Sequence, residues 1–238
     1  MLVNTIQILE EAKKGRYAVA HFNINNLEWT KYILEEMNKL GLPVILGVSE
    51  GAKRYMGGYH VVSAMVRALI QDLDIQIPVV LHLDHGSSFD ACKEAVDAGF
   101  TSVMIDASRL EFSQNVELTK KVVDYAHPFG VTVEAELGHI GGSEDNITSS
   151  STNATLEESM EFVRLTGIDL FAPALGSVHG IYKGEPNLDF ETMAKMRDAI
   201  AVPLVLHGAS GIDDEKITRA ISCGICKINV NTDFQIVW

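Results

Sequence analysis

The sequence predicts an α/β domain in which eight strands and their connecting helices close into a (β/α)8 barrel. Two observations carry that prediction. Eight short runs rich in Val, Ile and Leu recur along the chain without clean apolar–polar alternation, as strands buried on both faces do. Between them lie helix-spaced segments that start at capping residues and end at glycines.

In chain order, the stretch up to Gly15 reads as a helix of mixed charge. It lacks the basic start and apolar block of a signal peptide. The first run, residues 17–22, precedes a helix over 27–40 that carries Trp29, Ile33, Met37 and Leu40 at helical spacing, with Asn26 as its cap. The second run is 43–48. The third, 77–83, is followed by a helix over 88–98 that stops at Gly99. The fourth and fifth runs are 100–105 and 131–137. Thr155-Leu-Glu-Glu158 is a capping box, and its helix ends at Gly167. The sixth and seventh runs are 170–174 and 202–206. Asp213 opens a last helix that ends at Gly224, where the eighth run, 224–230, begins.

An open doubly wound sheet is the alternative, but it usually has fewer strands, and its G-x-G-x-x-G fingerprint is absent. No linker or charge block divides the chain, so residues 1–238 read as one TIM-barrel domain. The chain stops at Trp238, soon after the eighth run. The barrel is therefore expected to lack its C-terminal helix or helices, leaving the outer face of that strand exposed.

The 19 Lys+Arg against 32 Asp+Glu give a formal charge of −13. Binders that neutralise nucleic-acid phosphates are usually basic, so no nucleic-acid partner is expected. No apolar run approaches about 18 residues, so no membrane span is expected. Three cysteines cannot build a disulfide framework, and a reducing cytoplasm is the default location. Cys223-Gly-Ile-Cys226 follows a helix and enters a strand, the reverse of a thioredoxin-like order, so both cysteines read as core. A small phosphorylated substrate stays compatible with the acidic charge, because backbone N–H groups and one or two lysines suffice to hold a phosphate.

In a barrel the chemistry sits where the strands end. Those ends carry Asn23, Ser49, Asp84-His85, Asp106, Glu136, His179, His207 and Asn229 to Thr232. His85, His179 and His207 each sit beside a glycine and are expected to converge at one rim, and three neutral imidazoles with an open position suit catalytic Zn²⁺. His60 and His127 read as surface residues, and His21 and His82 as barrel-interior residues with a supporting role. Asp84 is placed to act as acid or base toward a substrate hydroxyl; the competing role, a cap for the next helix, falls to Ser88. Residues 138–154 form a long polar loop carrying Glu144 and Asp145, of the kind that closes over sites. Gly208-Ala209-Ser210-Gly211 and Asn229-Val230-Asn231-Thr232 follow the last two runs, where barrels place phosphate sites. Lys183 adds a positive charge.

Together these motifs resemble one family. Leu81-His-Leu-Asp-His-Gly86 and Val133-Glu-Ala-Glu-Leu-Gly-His-Ile-Gly-Gly-Ser-Glu144 resemble the two signatures of class II, metal-dependent, fructose-bisphosphate aldolases. Ala174-Leu-Gly-Ser-Val-His-Gly180, Tyr182-Lys183, Leu206-His-Gly-Ala-Ser-Gly211 and Lys227-Ile-Asn-Val-Asn-Thr-Asp233 match in the same order. The resemblance implies a glycolytic and gluconeogenic lyase that cleaves fructose 1,6-bisphosphate through a zinc-stabilised enediolate. It implies His85, His179 and His207 as zinc ligands and Asp106 and Glu136 as a second divalent-metal position. Asp84 would act on the C4 hydroxyl and Glu144 on the proton at C3. Ser49 would contact the aldehyde half; Gly180, Lys183, Gly208 to Ser210 and Asn229 to Thr232 would contact the dihydroxyacetone phosphate half, beside a monovalent cation. A homo-oligomer, dimer or tetramer, is implied for the full-length protein. Lys227 reads as structural or electrostatic, since metal chemistry needs no Schiff-base lysine.

The tagatose 1,6-bisphosphate enzyme is the nearest alternative, and Asn231 favours the fructose form. Two further readings are a zinc-dependent barrel hydrolase, disfavoured because Ala20-His-Phe-Asn23 offers a single histidine, and a non-catalytic phosphate-binding remnant, disfavoured by the complete ligand set.

Overall fold

A computed structural model describes residues 1–144, 147–149, 153–180, 182 and 184–237, with 141–144 and 147–149 described in backbone only. The strands are β1 (Val19–Asn23), β2 (Val44–Val48), β3 (Val79–Gly86), β4 (Ser102–Ile105) and β5 (Thr132–Leu137). There follow β6 (Gly141–Glu144), β7 (Ile147–Ser149), β8 (Leu170–Pro173), β9 (Val178–His179), β10 (Leu204–Leu206) and β11 (Ile225–Val230). Eight of them close a barrel in the order β1-β11-β10-β8-β5-β4-β3-β2. The described neighbours in this ring pair in parallel. All eight predicted runs thus supply the eight barrel strands.

The helices are α1 (Ile6–Gly15), α2 (Leu27–Leu40), α3 (Glu50–Met56), α4 (Tyr59–Asp72), α5 (Phe89–Asp97), α6 (Phe112–Ala126), α7 (Leu156–Thr166), α8 (Phe190–Ala199), α9 (Asp214–Ser222) and α10 (Thr232–Val237). None of the described helices is long and apolar enough to cross a membrane. The predicted caps form. Asn26, Ser88, Thr155 and Asp213 each accept from the backbone N–H three residues on. The capping box is a variant: the Thr155 hydroxyl donates to Glu158 Oε2 at 2.7 Å.

Two cores position the site. One packs the helices on the outer faces of the strands, around Leu46, Leu81, Val103, Phe162 and Phe171. The other lies inside the barrel floor, where Ile8, Leu9 and Ala12 of α1 meet Val19, Ile45, Val80, Leu170 and Val205. Strand residues two apart share a face. Above that apolar floor, the same inward rows therefore continue as His21 and Asn23 on β1, His82 and Asp84 on β3, and Glu134 and Glu136 on β5. All six are buried. Gly47, opposite on β2, makes room for this layer: a Cβ there would overlap the His21 imidazole.

The structure corrects the loop expectation and limits the exposure expected at the eighth strand. Residues 138–154 contain paired backbone: β6 and β7 form an antiparallel hairpin, and β6 pairs in parallel with β9. The eighth barrel strand is also not left bare. β11 is buried from Ile225 to Asn229, and α10 follows it. Phe234 of α10 packs its ring 4.9 Å from Phe22 and 6.4 Å from Trp29, whereas Ile236 and Val237 are exposed.

Candidate active site

β3 poses a geometric problem that its backbone solves. Asp84 and His85 are neighbours, so a regular strand would send them to opposite faces. His85 instead takes a left-handed φ of 49°, and the β3–β4 register shifts between Leu83 and Gly86. The bulge re-aims His85 at the rim while Asp84 stays in the inward row. There Asp84 accepts from Asn23 Nδ2 at 2.8 Å and from Asn229 Nδ2 at 3.4 Å. Its carboxylate is 2% exposed and does not cap α5, which Ser88 does.

His85, His179 and His207 come together as expected, each offering a ligand atom within 4.8 Å of the others. Two of the rings are oriented by carboxylates. Because a carboxylate only accepts, His85 Nδ1–H donates to Asp106 Oδ2 at 2.9 Å, and His207 Nε2–H donates to Glu134 Oε1 at 2.8 Å. The remaining nitrogens, His85 Nε2 and His207 Nδ1, are 3.0 Å apart. In neutral imidazoles both carry lone pairs, an arrangement that a shared cation satisfies. Burial, then the nearby His85, holds His207 well below the usual imidazole range. The donor set therefore fits a borderline-soft divalent ion.

Asp106 and Glu136 form a second group with His85, again with ligand atoms within 4.8 Å. Burial pushes Asp106 up, but His85 and the Ser108 hydroxyl and N–H outweigh it and hold the carboxyl well below its ordinary value. Glu136 is raised by burial and by Asp106. Its Oε1 accepts from Ile140 N–H at 3.0 Å, while Oε2 is buried without a hydrogen-bond partner. A buried carboxyl oxygen without a hydrogen-bond partner fits a second cation position.

His21, His82 and Asp84 make a third such group deeper in the barrel. His82 Nδ1 meets Ser102 Oγ at 2.8 Å, and the His21 and His82 rings stack edge to face at 5.4 Å. Burial holds both imidazoles well below their usual range, with Lys227 adding to the effect. His60 and His127 are exposed, as expected, though His127 Nε2 lies 2.9 Å from Asp169.

The proposed phosphate loops are adjacent and cross-linked. Ala209 N–H donates to the Asn229 carbonyl at 3.3 Å, and Ser210 Oγ accepts from the N–H groups of Asn231 and Asp233, each at 3.3 Å. Ser49 caps α3, accepting from Ala52 N–H at 3.2 Å, and stays half-buried at the rim. Lys183, Asp145 and the side chain of Glu144 lie outside the described residues; the Glu144 backbone ends β6, which pairs with the strand carrying His179.

Sequence reasoning assigned no role to Glu134, Ser108 or Tyr182. The period of two that links Glu134 to Glu136 was a signal for the first. The Tyr182 hydroxyl donates to the Gly208 carbonyl at 2.8 Å and accepts from Val178 N–H at 3.0 Å, a link between distant segments with no sequence signal.

Comparison with known proteins adds an independent observation. A family model described as "Fructose-bisphosphate aldolase class-II" matches residues 3–238. A fructose-bisphosphate aldolase from Geobacillus stearothermophilus is 58% identical over 238 residues, covering 100% of this chain and 83% of that relative. One from Staphylococcus epidermidis is 56% identical over 236 residues, covering 99% and 82%. Among solved structures, the YdjI aldolase from Escherichia coli K12 superposes with a TM-score of 0.89 at 38% identity, covering 99% of this chain and 84% of that one.

Proposed function

Because the chain belongs to the class-II fructose-bisphosphate aldolase family, a family of lyases, we propose that it reversibly cleaves fructose 1,6-bisphosphate into dihydroxyacetone phosphate and glyceraldehyde 3-phosphate. The observation that carries this reading is the convergence of three imidazoles beside a buried carboxylate held by two amides. Membership implies a divalent metal. His85, His179 and His207 would hold it as Zn²⁺, and Asp106 with Glu136 would offer a second divalent position. When bound, the ion supplies a Lewis acid for the negative charge that develops on oxygen during carbon–carbon cleavage.

The protein's own residues do the rest. Asp84 takes the proton from the C4 hydroxyl as the C3–C4 bond breaks and its electron pair moves into the ketone half. Asn23 and Asn229 hold the Asp84 oxygens in place while it does so. Glu144 then returns a proton to C3. Ser49 contacts the aldehyde half. Gly180, Lys183, Gly208, Ala209, Ser210 and Asn229 to Thr232 contact the phosphorylated ketone half, with a monovalent cation nearby. Lys227 is no nucleophile here, since its ammonium is engaged by both Glu134 oxygens. The enzyme works in the cytoplasm, and the full-length protein assembles as a homo-oligomer, a dimer or tetramer.

The test is turnover of the two epimeric bisphosphates by the zinc-loaded protein. Fructose 1,6-bisphosphate should be cleaved faster than the tagatose epimer, and chelation should abolish both. Asp84→Ala should lower kcat by about 10²-fold or more while zinc stays bound. A lysine adduct trapped by borohydride, or faster tagatose turnover, would reverse the assignment.

A further inference from the structure

Glu134 is the most deeply buried carboxylate of the barrel, at 0% exposure, and the reaction above gives it no task. Isolating an ionised carboxylate from water costs several kcal/mol unless partners compensate it. Glu134 has two. Lys227 Nζ donates to Oε2 at 2.8 Å and to Oε1 at 3.1 Å, and His207 Nε2–H donates to Oε1 at 2.8 Å. His82 Nε2 lies 3.8 Å from Oε2 and completes the surround. The three principal groups come from β5, β11 and the end of β10, so the barrel itself brings them together.

We propose that Glu134 is a positioning residue for the metal centre: it takes the Nε2–H of His207, fixes that tautomer and turns Nδ1 toward His85 Nε2. Lys227 supplies the counter-charge that makes a carboxylate tolerable at this depth. The mirror arrangement at His85, where Asp106 takes Nδ1–H, leaves Nε2 as the inward atom. The two rings thus face the shared centre through different nitrogens, set by carboxylates behind them. This inference rests on the metal reading above, but it concerns the ligand's orientation and not the reaction.

Two neutral double variants isolate the acceptor. Glu134→Gln with Lys227→Met keeps an oxygen to accept from His207; Glu134→Leu with Lys227→Met does not. Neither leaves a lone buried charge. In competition with a chromophoric chelator for Zn²⁺ alone, the Gln pair should bind about 10- to 100-fold more tightly than the Leu pair, the usual scale for an outer partner of a metal histidine. The Co²⁺ visible spectrum should change in the Leu pair and be kept in the Gln pair. Equal affinities and spectra in the two folded variants would overturn the proposal. A second measurement uses the unaltered chain: long-range ¹⁵N–¹H correlation should find the His207 proton on Nε2, and a proton on Nδ1 would overturn the proposal without any variant. Failure of the unaltered chain to bind Zn²⁺ would instead strike the metal reading itself.

Discussion

His85 and His207 sit at the ends of barrel strands, whereas His179 reaches the same centre from β9, a two-residue strand of a separate three-stranded sheet. The first two are fixed by strand register and by carboxylates behind their rings. The third depends on what clips β9 to the rim: its pairing with β6 and the Tyr182 hydroxyl bridging Val178 and Gly208. The barrel wall supplies two ligands, and the attached sheet, which includes β6 and β7 of the 138–154 segment, supplies the third. A substitution at the junction should therefore damage metal binding more than it damages the barrel.

Gly208→Val is the strongest way to break this junction. Gly208 has a φ of 63°, and any Cβ there would overlap the Val178 carbonyl, so β9 must move away from His207. Zn²⁺ affinity should fall about 10²-fold by chelator competition, to the level of a two-imidazole site. Far-ultraviolet circular dichroism should keep the barrel's signature. Undiminished affinity would show that His179 does not depend on this approach.

Tyr182→Phe tests the clip more gently. It removes the hydroxyl that serves both Val178 and Gly208 but keeps the ring. Two lost hydrogen bonds predict about a 10-fold faster zinc release, measured by stopped flow, with little change in melting temperature. Equal release rates would place the restraint in the β6 pairing alone.

Ser88→Ala tests the wall side. It removes the cap of α5, directly after the strand that carries His85. The expected cost is about 1 kcal/mol of global stability by urea unfolding, with zinc affinity unchanged. An affinity loss as large as that of Tyr182→Phe would erase the distinction between the two regions.

The balance of what was legible follows the same division. Apolar runs, caps and terminal glycines are local signals, and they announced the barrel and the helices α1, α2, α5, α7 and α9 to within a few residues, but not α3, α4, α6, α8 or α10. The rim histidines were legible because each comes soon after a predicted apolar run and sits beside a glycine, although His179 turned out to lie in the separate sheet. The role of Glu134 was half-legible: the Glu-x-Glu spacing places both carboxylates on one face, but nothing local shows that Lys227, 93 positions away, neutralises the first. The loop expectation for 138–154 failed because its glycine- and serine-rich strands are stabilised by pairing with each other and with distant Val178, and carry no apolar period of their own.

The sequence by itself determined the closed parallel barrel and which side chains ring its mouth, because strand burial and strand-end placement follow from periodicity along the chain. Only the tertiary structure decided how those side chains are aimed. The left-handed turn at His85, the proton positions on the two wall imidazoles and the seating of His179 all depend on atoms tens of residues apart. Each is set by a hydrogen bond or steric limit across the barrel, which no local pattern encodes.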